Sequence, residues 1–403
     1  MGKAFLTTYT YDCEVAFNSS KSGTAVEVLK DAVKYIVINH NYNKAIMPTM
    51  YMKLNVTPSI YNKMVPEQGQ SKMYVKIYRT RHKGSTSSSP KTVIYDEFDY
   101  FMTDDPNGYK QLDTVNESSG TSYKECFIGL IKLDLQKNNQ RSFEGVYKNT
   151  NMMSLVQNAT SHMKMVIQPF VNNYTFDSFV CPTITSVAQF ISYLNSKQSF
   201  YNGSYMYYMD LDKTYLISND GNYIDANDGD YRYIAFDVRD LSTRQALTTG
   251  MVEDSSQDAY IIYVAASDAQ IVIDRVTSSL VGEVTAVNAA DGSYSQTASI
   301  NTQYITNIGT ADTSLMKITE DPNGAYNVAT QVCENSNTMM ITKTDMDSRV
   351  FTPNKQYLLC NYEDNPKYCG VYYMTDKKEV YLRTGSEMKC QMTITLKKCA
   401  DFT

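Results

Sequence analysis

Apolar and polar residues alternate in many short segments of this chain, and those segments are dense in Val, Ile, Thr, Tyr and Phe. The pattern is typical of half-buried β-strands. It predicts strands at residues 35–39, 50–56, 72–78, 92–101 and 126–135, and again at 231–238, 259–264, 270–273, 283–287, 339–342, 356–360, 370–374, 379–383 and 389–396. Short strands separated by Asn, Asp, Gly and Ser indicate sandwiches or barrels, so we expect roughly two thirds of the protein to be β framework.

Helical patterns are few and lie between or beside these strands. Thr57 followed by Pro58 places a capping residue before a proline at the first helical position, which predicts a short helix over residues 57–64. A second helix is predicted within residues 149–163, where Met153 and Leu155 lie among good helix formers.

The third predicted helix, residues 186–195, has apolar side chains at positions i, i+3, i+4 and i+7. These apolar positions are Val187, Phe190, Ile191 and Leu194. Ser186 and Gln189 form a capping box at its start. A turn at residues 202–203 and alternating strands at 205–210 and 214–218 follow. The predicted fold class is therefore mainly β with a small α/β insertion.

Two segments between the strands carry turn and loop signals. Residues 79–91, RTRHKGSTSSSPK, are basic and rich in Ser, which predicts an exposed hairpin loop, with phosphate binding as the alternative use of its charge. Residues 102–108, MTDDPNG, recur nearly unchanged as ITEDPNG at residues 318–324. Pro, Asn and Gly in this order make an efficient turn, so either convergence or a duplicated β domain explains the repeat.

Size and charge narrow the class of protein. A chain of 403 residues exceeds the size at which one core keeps growing, so we expect roughly two to four domains. A net charge of −6 provides no basic field for DNA or anionic lipid, which argues against specific nucleic-acid recognition. No run of about 18 apolar residues occurs, so we expect neither a secretory signal nor a membrane span.

The cysteines are too few for a disulfide scaffold of this length, and none forms a CxxC pair. They are Cys13, Cys126, Cys181, Cys333, Cys360, Cys369, Cys390 and Cys399. The same spacing of nine separates Cys360 from Cys369 and Cys390 from Cys399. Two interpretations stay open: buried strand cysteines, or a disulfide or zinc site completed by one of only three histidines, which are His40, His82 and His162.

Catalytic motifs are absent from the sequence. There is no phosphate-binding GxxxxGK loop followed by Ser or Thr, no GxGxxG, no HExxH and no GxSxG. The acidic turn at residues 225–230 fails as a calcium loop because Gly229 and Phe236 occupy ligand positions. The carboxylates near Asp96 and Asp99 are better explained as exposed strand residues than as a glycosidase pair. We therefore predict no catalytic, cofactor-binding or metal-ligating residue.

Residues 199–218, SFYNGSYMYYMDLDKTYLIS, hold five tyrosines and two methionines. Tyrosine buries its ring while keeping a hydroxyl at a wet rim, so this hairpin favours a protein interface. We predict interface roles for Tyr201, Tyr205, Tyr207, Tyr208 and Met209. The alternative is that one face of the hairpin lies under the helix predicted at residues 186–195 and the other face is lightly exposed.

Four segments of the chain follow one another in a recognisable order. The first is IVINHNYNKAIMPTMYMKLNV, followed by PSIYNKM and KMYVKIYR. The second is CPTITSVAQFISYLNSKQSFYNGSYMYYMDLDKTYLIS, and GDYRYIAFDVRD comes directly behind it. The last is NKQYLLCNYEDNPKYCGVYYMTDKKEVYLRTGSEMKCQMTITLKK. In this order and pattern of residue types, the chain resembles the bacteriophage baseplate hub proteins.

The resemblance implies two tail-tube-like β-barrel domains and a small α/β domain. Residues 1–140 would form the first barrel, completed by a strand near 231–238; residues 141–228 the α/β insertion; and residues 239–403 the second barrel with an accessory β part. It also implies a homotrimeric, pseudo-sixfold ring whose channel passes DNA without reading it. This ring would close the tail tube, contact tube and distal tail proteins, and seat the central spike or tail lysin.

The location implied by the resemblance is the baseplate of the virion, after assembly in the host cytoplasm. Two other functions stay open. One is another tail-tip protein, such as a distal tail protein or a receptor-binding adaptor, which would form a hexamer. The other is a cell-wall hydrolase of the tail tip, in which a carboxylate pair would cleave glycan or peptide.

Overall fold

A computed structural model gives the arrangement of most of the chain. It describes residues 5–18, 25–28, 30–42, 47–65, 71–83, 87–88, 90–95, 97–103, 113–116, 121–201, 205–210, 213–218, 231–238, 250–265, 268–273, 282–287, 294–300, 338–400 and 402. Within these ranges no helix is both long enough and apolar enough to cross a lipid bilayer.

The strands of the first third are β1 (Phe5–Asn18), β2 (Ala25–Val28), β3 (Val33–Asn41), β4 (Thr49–Val56), β5 (Ser71–Lys83), β6 (Ser87–Ser88), β7 (Thr92–Tyr95), β8 (Phe98–Thr103), β9 (Asp113–Asn116) and β10 (Thr121–Ile131). The middle contains β11 (Phe143–Asn151), β12 (Met165–Ile167), β13 (Thr175–Ile184), β14 (Tyr205–Met209) and β15 (Thr214–Ser218). The remaining strands are β16 (Tyr233–Val238), β17 (Met251–Asp254), β18 (Ala259–Val264), β19 (Ala269–Ile273), β20 (Gly282–Val287), β21 (Tyr294–Ile300), β22 (Thr338–Thr344), β23 (Gln356–Cys360), β24 (Gly370–Thr384) and β25 (Glu387–Ala400). The helices are α1 (Pro58–Met64), α2 (Leu133–Asn139), α3 (Met152–Thr160) and α4 (Val187–Lys197), with short 3₁₀ turns at Lys30–Ala32 and Pro366–Tyr368.

Eleven strands close into a barrel, which confirms the predicted fold class. From β1 the hydrogen-bonded neighbours run through β5, β8, β10, β4, β3, β24, β23, β16, β18 and β17, which pairs with β1 again. Pairing is antiparallel except around β16, which runs parallel to β18 and β23. β25 runs along β24 and meets β1 at Tyr11↔Met388, so the last hairpin of the chain is tied to its first strand.

Period-two alternation builds the interior of this barrel. In β4 the residues Met50, Met52, Leu54 and Val56 are buried, while those between them are partly exposed. The same alternation buries Ile36, Ile38 and His40 in β3. Burying each large apolar side chain contributes about 1.5–3 kcal/mol. The apolar residues among them belong to one continuous hydrophobic cluster, the barrel core, which also includes residues of β1, β16 and β25.

Four local predictions for the first third are wrong. The strand predicted at 92–101 is divided into β7 and β8, and the one predicted at 126–135 ends before α2 begins. Asp99, expected to be exposed, is buried because it accepts a hydrogen bond from the Leu133 backbone N at 3.3 Å and pairs with Lys72 at 3.3 Å. The loop predicted at 79–91 begins later than expected, because its first five residues belong to β5, which ends at Lys83.

The middle of the chain forms a small α/β part. β11 pairs with β13, while β15 lies between β12 and β14. α3 begins after Asn151, whose side chain accepts a hydrogen bond from the Ser154 backbone N at 2.8 Å. α4 begins after Ser186, which accepts from Gln189 N at 3.1 Å as the capping box predicts, but the Gln189 amide oxygen turns to the backbone N of Thr185 at 3.3 Å.

The α/β part has its own core, the α/β core, in which the two helices pack against aromatic side chains. Its members include Leu155 and Val156 of α3, Phe190, Ile191 and Leu194 of α4, and Phe143, Phe179 and Phe200. Phe190 stacks on Phe143, with ring centroids 4.6 Å apart, and meets Phe179 edge-on at 6.4 Å.

Several predicted turns cannot be compared with the structure. The turns predicted at 105–108, 202–203, 225–230 and 321–324 lie outside the described residues. Both hydrogen-bonded neighbours of β16 come from the second half of the chain. The division into domains at 1–140, 141–228 and 239–403 stays a prediction.

Candidate functional site

The hairpin of β14 and β15 lies between the two cores. Its residues Met206, Tyr208, Tyr215 and Ile217 belong to the barrel core. Leu216 belongs to the α/β core, and Tyr205 and Tyr207 pack against it. Because successive strand residues point to opposite faces, this one hairpin joins both cores.

A row of aromatic rings leads from this hairpin into the barrel. Tyr208 stacks on Tyr215, with ring centroids 4.9 Å apart, and meets Tyr42 edge-on at 4.8 Å. Tyr42 in turn stacks on His40 of β3 at 5.5 Å. Edge-on and offset ring pairs contribute about 0.5–1.5 kcal/mol each beyond their burial. The hairpin is therefore anchored to the barrel by specific ring contacts.

The predicted interface residues are placed mostly inside this chain. Tyr201, Tyr208 and Met209 are 1, 2 and 1% exposed. The Tyr201 hydroxyl lies 2.9 Å from the Gln168 carbonyl oxygen, to which it donates. Tyr205 and Tyr207 are only partly buried. A contact between Tyr205 or Tyr207 and a second protein stays a prediction, and the other three side chains are used in packing the chain against itself.

A group of buried ionisable side chains, here called the central cluster, lies within the barrel. It consists of His40, Tyr95, Lys377, Glu379 and Tyr381, and each is at most 3% exposed. Lys377, Glu379 and Tyr381 alternate along β24, which places all three on its inward face.

The carboxylate of Glu379 is the centre of this cluster. Lys377 Nζ lies 2.9 Å from Glu379 Oε1, and His40 Nε2 lies 3.5 Å from the same oxygen. The hydroxyls of Tyr95 and Tyr381 donate to Glu379 Oε2 at 2.9 and 2.5 Å. Charge-assisted bonds of this kind are about twice as strong as neutral ones, and they offset the cost of burying the carboxylate.

Lys377 and Tyr381 extend the central cluster to residues 346–351. Lys377 Nζ donates to the carbonyl oxygens of Ser348 and Phe351 at 3.0 and 3.1 Å. The Tyr381 hydroxyl lies 2.9 Å from Ser348 Oγ. Since the single proton of Tyr381 goes to Glu379, Ser348 is the donor in that contact. The cluster thus helps to fix an irregular segment, which Tyr11 of β1 also holds through its hydroxyl.

Burial and neighbouring charge set the protonation of the cluster. Burial alone would raise the pKa of Glu379, but the charge of Lys377 and hydrogen bonding from His40 hold that pKa well below its usual range. Burial, together with nearby Lys377, lowers the pKa of His40, so its imidazole is neutral at pH 7. Burial and the charge of Glu379 raise the pKa of Tyr95 well above its ordinary value. A neutral His40 therefore neighbours the Glu379–Lys377 ion pair.

An ion pair joins the central cluster to the tyrosine hairpin. Arg349 Nη1 lies 3.2 Å from Asp210 Oδ2, and Asp210 directly follows β14. The guanidinium of Arg349 also lies over the ring of Tyr95, 5.3 Å from its centroid. Residues 346–351 are thereby tied both to the barrel and to the start of the hairpin turn.

Two further arginines tie β5 to distant parts of the chain. Arg79 pairs with Asp347, and Arg81 pairs with Glu253 of β17. Both carboxylates are buried while the arginines are partly exposed. Long arginine stems keep their charge near solvent and cover apolar surface. Arg79 and Arg81, which the sequence predicted to lie in a loop, are therefore strand residues with structural partners.

This arrangement stabilises structure and offers little to a substrate. Every member of the central cluster is shielded from solvent, and Glu379 already has four polar neighbours. Within the described ranges, no three or more His, Cys, Asp or Glu side chains come together in a way that could hold a metal ion.

The two cysteine pairs with a spacing of nine are placed differently in the structure. Cys360 ends β23 and Cys369 directly precedes β24, its antiparallel partner. Cys390 and Cys399 both lie on β25, where nine residues span about 30 Å. A single zinc site using Cys390 and Cys399 together is therefore excluded. Cys333 lies outside the described residues.

Sequence reasoning did not identify the central cluster. One signal for His40 was available, because it continues the alternation of Ile36 and Ile38 and so shares their buried face. The contact between His40 and Glu379 joins the beginning of the chain to its end. No local pattern links those two positions.

Comparisons with known proteins agree with the fold. The family model described as "Bacteriophage PBS1 gene 109 protein" matches residues 1–399. No curated relative matches this chain. A tail protein from Neisseria meningitidis MC58, known from its crystal structure, is similar with a TM-score of 0.51 and 10% identity, over 97% of each chain.

Two further solved structures are more distant. The prophage MuSo2 43 kDa tail protein from Shewanella oneidensis has a TM-score of 0.47 at 8% identity, over 94% of this chain and 98% of that one. The E. coli c3393 protein, described as a component of the type VI secretion system, has a TM-score of 0.40 at 8% identity, over 91% of this chain and 73% of that one. At these scores neither likeness carries an argument.

Proposed function

We propose that this chain, which belongs to the Bacteriophage PBS1 gene 109 protein family, is a structural protein of the phage tail and serves as the baseplate hub. In this role, three copies of the chain form a pseudo-sixfold ring around a channel. The ring closes the tail tube, contacts tube and distal tail proteins, and seats the central spike or tail lysin. Its place is the virion, after assembly in the host cytoplasm.

The observation that carries this proposal is the closed barrel of eleven strands. Its strands come from two stretches of the chain, β1 to β10 and β16 to β24, so one subunit contributes two strand-rich parts to one body. Three such subunits would place three closed barrels around one axis, while the match to a sixfold tube rests on the two β domains that the resemblance implies. A closed barrel also leaves few open strand edges that could pair wrongly during assembly.

The central cluster supports a mechanical role. A hub that closes a tube and seats a spike would have to keep its parts in a fixed geometry. Buried, hydrogen-bonded ion pairs favour one arrangement over others, because an alternative arrangement would leave a charge buried without its partner. The pairs Glu379–Lys377 and Asp210–Arg349 connect the barrel, residues 346–351 and the hairpin in this way. We assign the cluster no catalytic role.

The number of subunits per particle tests this proposal. Multi-angle light scattering after size exclusion, at several protein concentrations, should give three times the mass of one chain. Electron micrographs of the same peak should show rings with threefold symmetry. Six subunits would indicate a distal tail or tube protein instead, and a monomer at every concentration, alone and with tube and spike proteins, would contradict a self-assembling hub.

A further inference from the structure

The hairpin of β23 and β24 brings two cysteines together. In this antiparallel pair, Leu358 lies opposite Val371 and Leu359 opposite Gly370. Continuing the register by one residue places Cys360 opposite Cys369. Side chains of directly opposed residues lie on the same face of the pair, with Cα atoms about 4.5–5.5 Å apart. That separation lies within the range of natural disulfides.

The position of one sulfur agrees with this register. Cys369 Sγ accepts a hydrogen bond from the backbone N of Tyr362 at 3.3 Å, and Tyr362 is only two residues beyond Cys360. The Cys369 side chain is therefore directed toward the residues that follow directly after β23. Both cysteines are thiols in this structure, and both are partly exposed. A small oxidant can thus reach them.

The loop between the two cysteines is already ordered. Tyr362 and Tyr368 are buried, with ring centroids 6.1 Å apart. The Tyr372 hydroxyl donates to the Tyr368 carbonyl oxygen at 2.5 Å, and Lys398 Nζ donates to the Lys367 carbonyl oxygen at 2.7 Å. Because these contacts hold the loop in place, closing a bond across its base requires little rearrangement of the backbone.

The other cysteines whose side chains the structure describes are poor alternatives for such a reaction. Cys13, Cys126, Cys181 and Cys390 are buried. Burial raises the pKa of Cys126 to about 12, and it also raises the pKa of Cys13 and Cys390. Thiolates are the reactive form, so these buried thiols react slowly.

We propose that Cys360 and Cys369 form an oxidation site that closes the β23–β24 hairpin with a disulfide once the protein meets a peroxide. One thiolate attacks the peroxide and becomes a sulfenic acid, and the departing hydroxide takes up the proton that the thiol lost, giving water. The second thiolate attacks that sulfur, the S–S bond forms, and the hydroxide that leaves is likewise protonated to a second water. Two thiols thereby lose two electrons and two protons to one hydrogen peroxide, giving a disulfide and two waters.

The timing of this reaction rests on the proposed function, whereas the chemistry does not. Cytosolic thiols stay reduced, and disulfides persist outside the cell. A tail protein assembled in the host cytoplasm and released by lysis would pass from one condition to the other. Closure of the hairpin would then stabilise the released particle.

The test uses the purified full-length chain treated with hydrogen peroxide, with and without subsequent reduction. Intact-mass spectrometry should show the loss of two hydrogen atoms, and peptide mapping should find Cys360 linked to Cys369. Closing a loop of roughly ten residues should raise the melting temperature by roughly 2–5 °C, and a reductant should reverse the rise. The variants Cys360→Ser and Cys369→Ser should show neither change, while Cys181→Ser should oxidise like the original chain.

Melting of each variant under reducing conditions shows whether the substitution itself disturbs the fold. If both cysteines remain open to alkylation after peroxide treatment, or if either links to a different cysteine or to a second chain, the proposal is overturned. Neither result would bear on the number of subunits, so a failure here is distinguishable from a failure of the hub proposal.

Discussion

The barrel core and the α/β core are both rich in aromatic side chains, but they treat polar groups differently. In the described part of residues 143–209, the buried polar side chains are uncharged: Thr160, Asn195 and Ser199. Each satisfies a nearby backbone group, as when Asn195 Oδ1 accepts from Phe200 N at 2.9 Å. The barrel instead buries charged and ionisable side chains: Lys377 and Glu379 pair along β24, and Glu379 also contacts His40 of β3 and Tyr95 of β7, which are distant in sequence.

The difference has an energetic meaning. Local side-chain caps stabilise the α/β part piece by piece, and losing one leaves the rest intact. In the barrel, each buried charge depends on its charged partner and on polar groups from other strands, so a single substitution exposes the cost of burying the charge that remains. We therefore expect the barrel to be sensitive to charge and pH, and the α/β part to be sensitive mainly to packing.

The largest effect is expected for Glu379→Gln. The amide keeps the size of the side chain but leaves Lys377 buried without its counter-charge, which costs about 3–5 kcal/mol. Thermal melting should shift strongly downward, and hydrogen exchange should rise in β3 and β24. Glu144→Gln, at an exposed position of β11, is the matched control and should melt like the original chain.

The double variant Glu379→Gln/Lys377→Met sharpens the same contrast. Removing both charges should recover much of the lost stability, because a buried pair replaced by neutral groups is often tolerated. If the double variant were as unstable as the sum of its single changes, the two side chains would be acting independently, and the central cluster would not explain the sensitivity of the barrel.

The second-largest effect is expected at Tyr201, which lies before the hairpin that joins the two cores. Tyr201→Phe removes the hydroxyl that donates to the Gln168 carbonyl at 2.9 Å, so we expect a loss of about 1–2 kcal/mol in the free energy of unfolding. Denaturant titration measures it, and hydrogen exchange should rise in β15 more than in β24. Tyr174→Phe, at an exposed position, serves as the control.

A packing change should affect the two regions equally. Ile128→Val in the barrel core and Ile191→Val in the α/β core each remove one buried methylene group, which costs about 0.5–1.5 kcal/mol. Denaturant titration of both variants tests this equality. A cost confined to one core would mean that packing, and not charge, distinguishes the two regions.

The smallest expected effect is the pH dependence carried by His40. Its pKa is lowered in the folded chain, so the unfolded chain takes up a proton first as the pH falls through its ordinary value of 6.5. Stability contributed by the neutral imidazole is therefore present above that pH and lost below it, by about 0.5–1 kcal/mol near pH 5.5. Melting temperatures measured between about pH 7.5 and 5.5 should decline more for the original chain than for His40→Gln.

Glu379 also makes the folded chain less stable as the pH falls, but at lower pH than His40 does. The pKa of Glu379 is depressed in the folded chain, so its contribution to stability is present above the unfolded value of 4.5 and is lost as the pH falls further.

The prediction for His40 has a clear contradicting outcome. A decline in stability that is identical for the original chain and for His40→Gln between pH 7.5 and 5.5 would assign the acid sensitivity to other groups.

Sequence patterns predicted the fold class, α1, α3, α4 and most strands, because alternation and capping are local signals. β24 shows where such signals mislead. Alternation would send the apolar residues Val380 and Leu382 inward, yet Leu382 is 41% exposed and Glu379 and Tyr381 are buried. The charged residues occupy the interior because partners from β3 and β7 meet them there, and the sequence of β24 alone carries no record of those partners.

The tyrosine hairpin shows a second limit. Its composition indicated an interface, and its rings do form one between two cores of the same chain. Whether aromatic side chains meet another part of the chain or another protein depends on tertiary arrangement, which periodicity does not encode. Tyr205 and Tyr207 remain the candidates for contact with a second protein.

Electron cryo-microscopy of tail tips from particles that contain this protein tests the hub proposal most directly. We predict three copies arranged around the tube axis at the end of the tail, with their barrels enclosing a channel and the spike seated below. Six copies within the tube, or no copy at the tip, would contradict it.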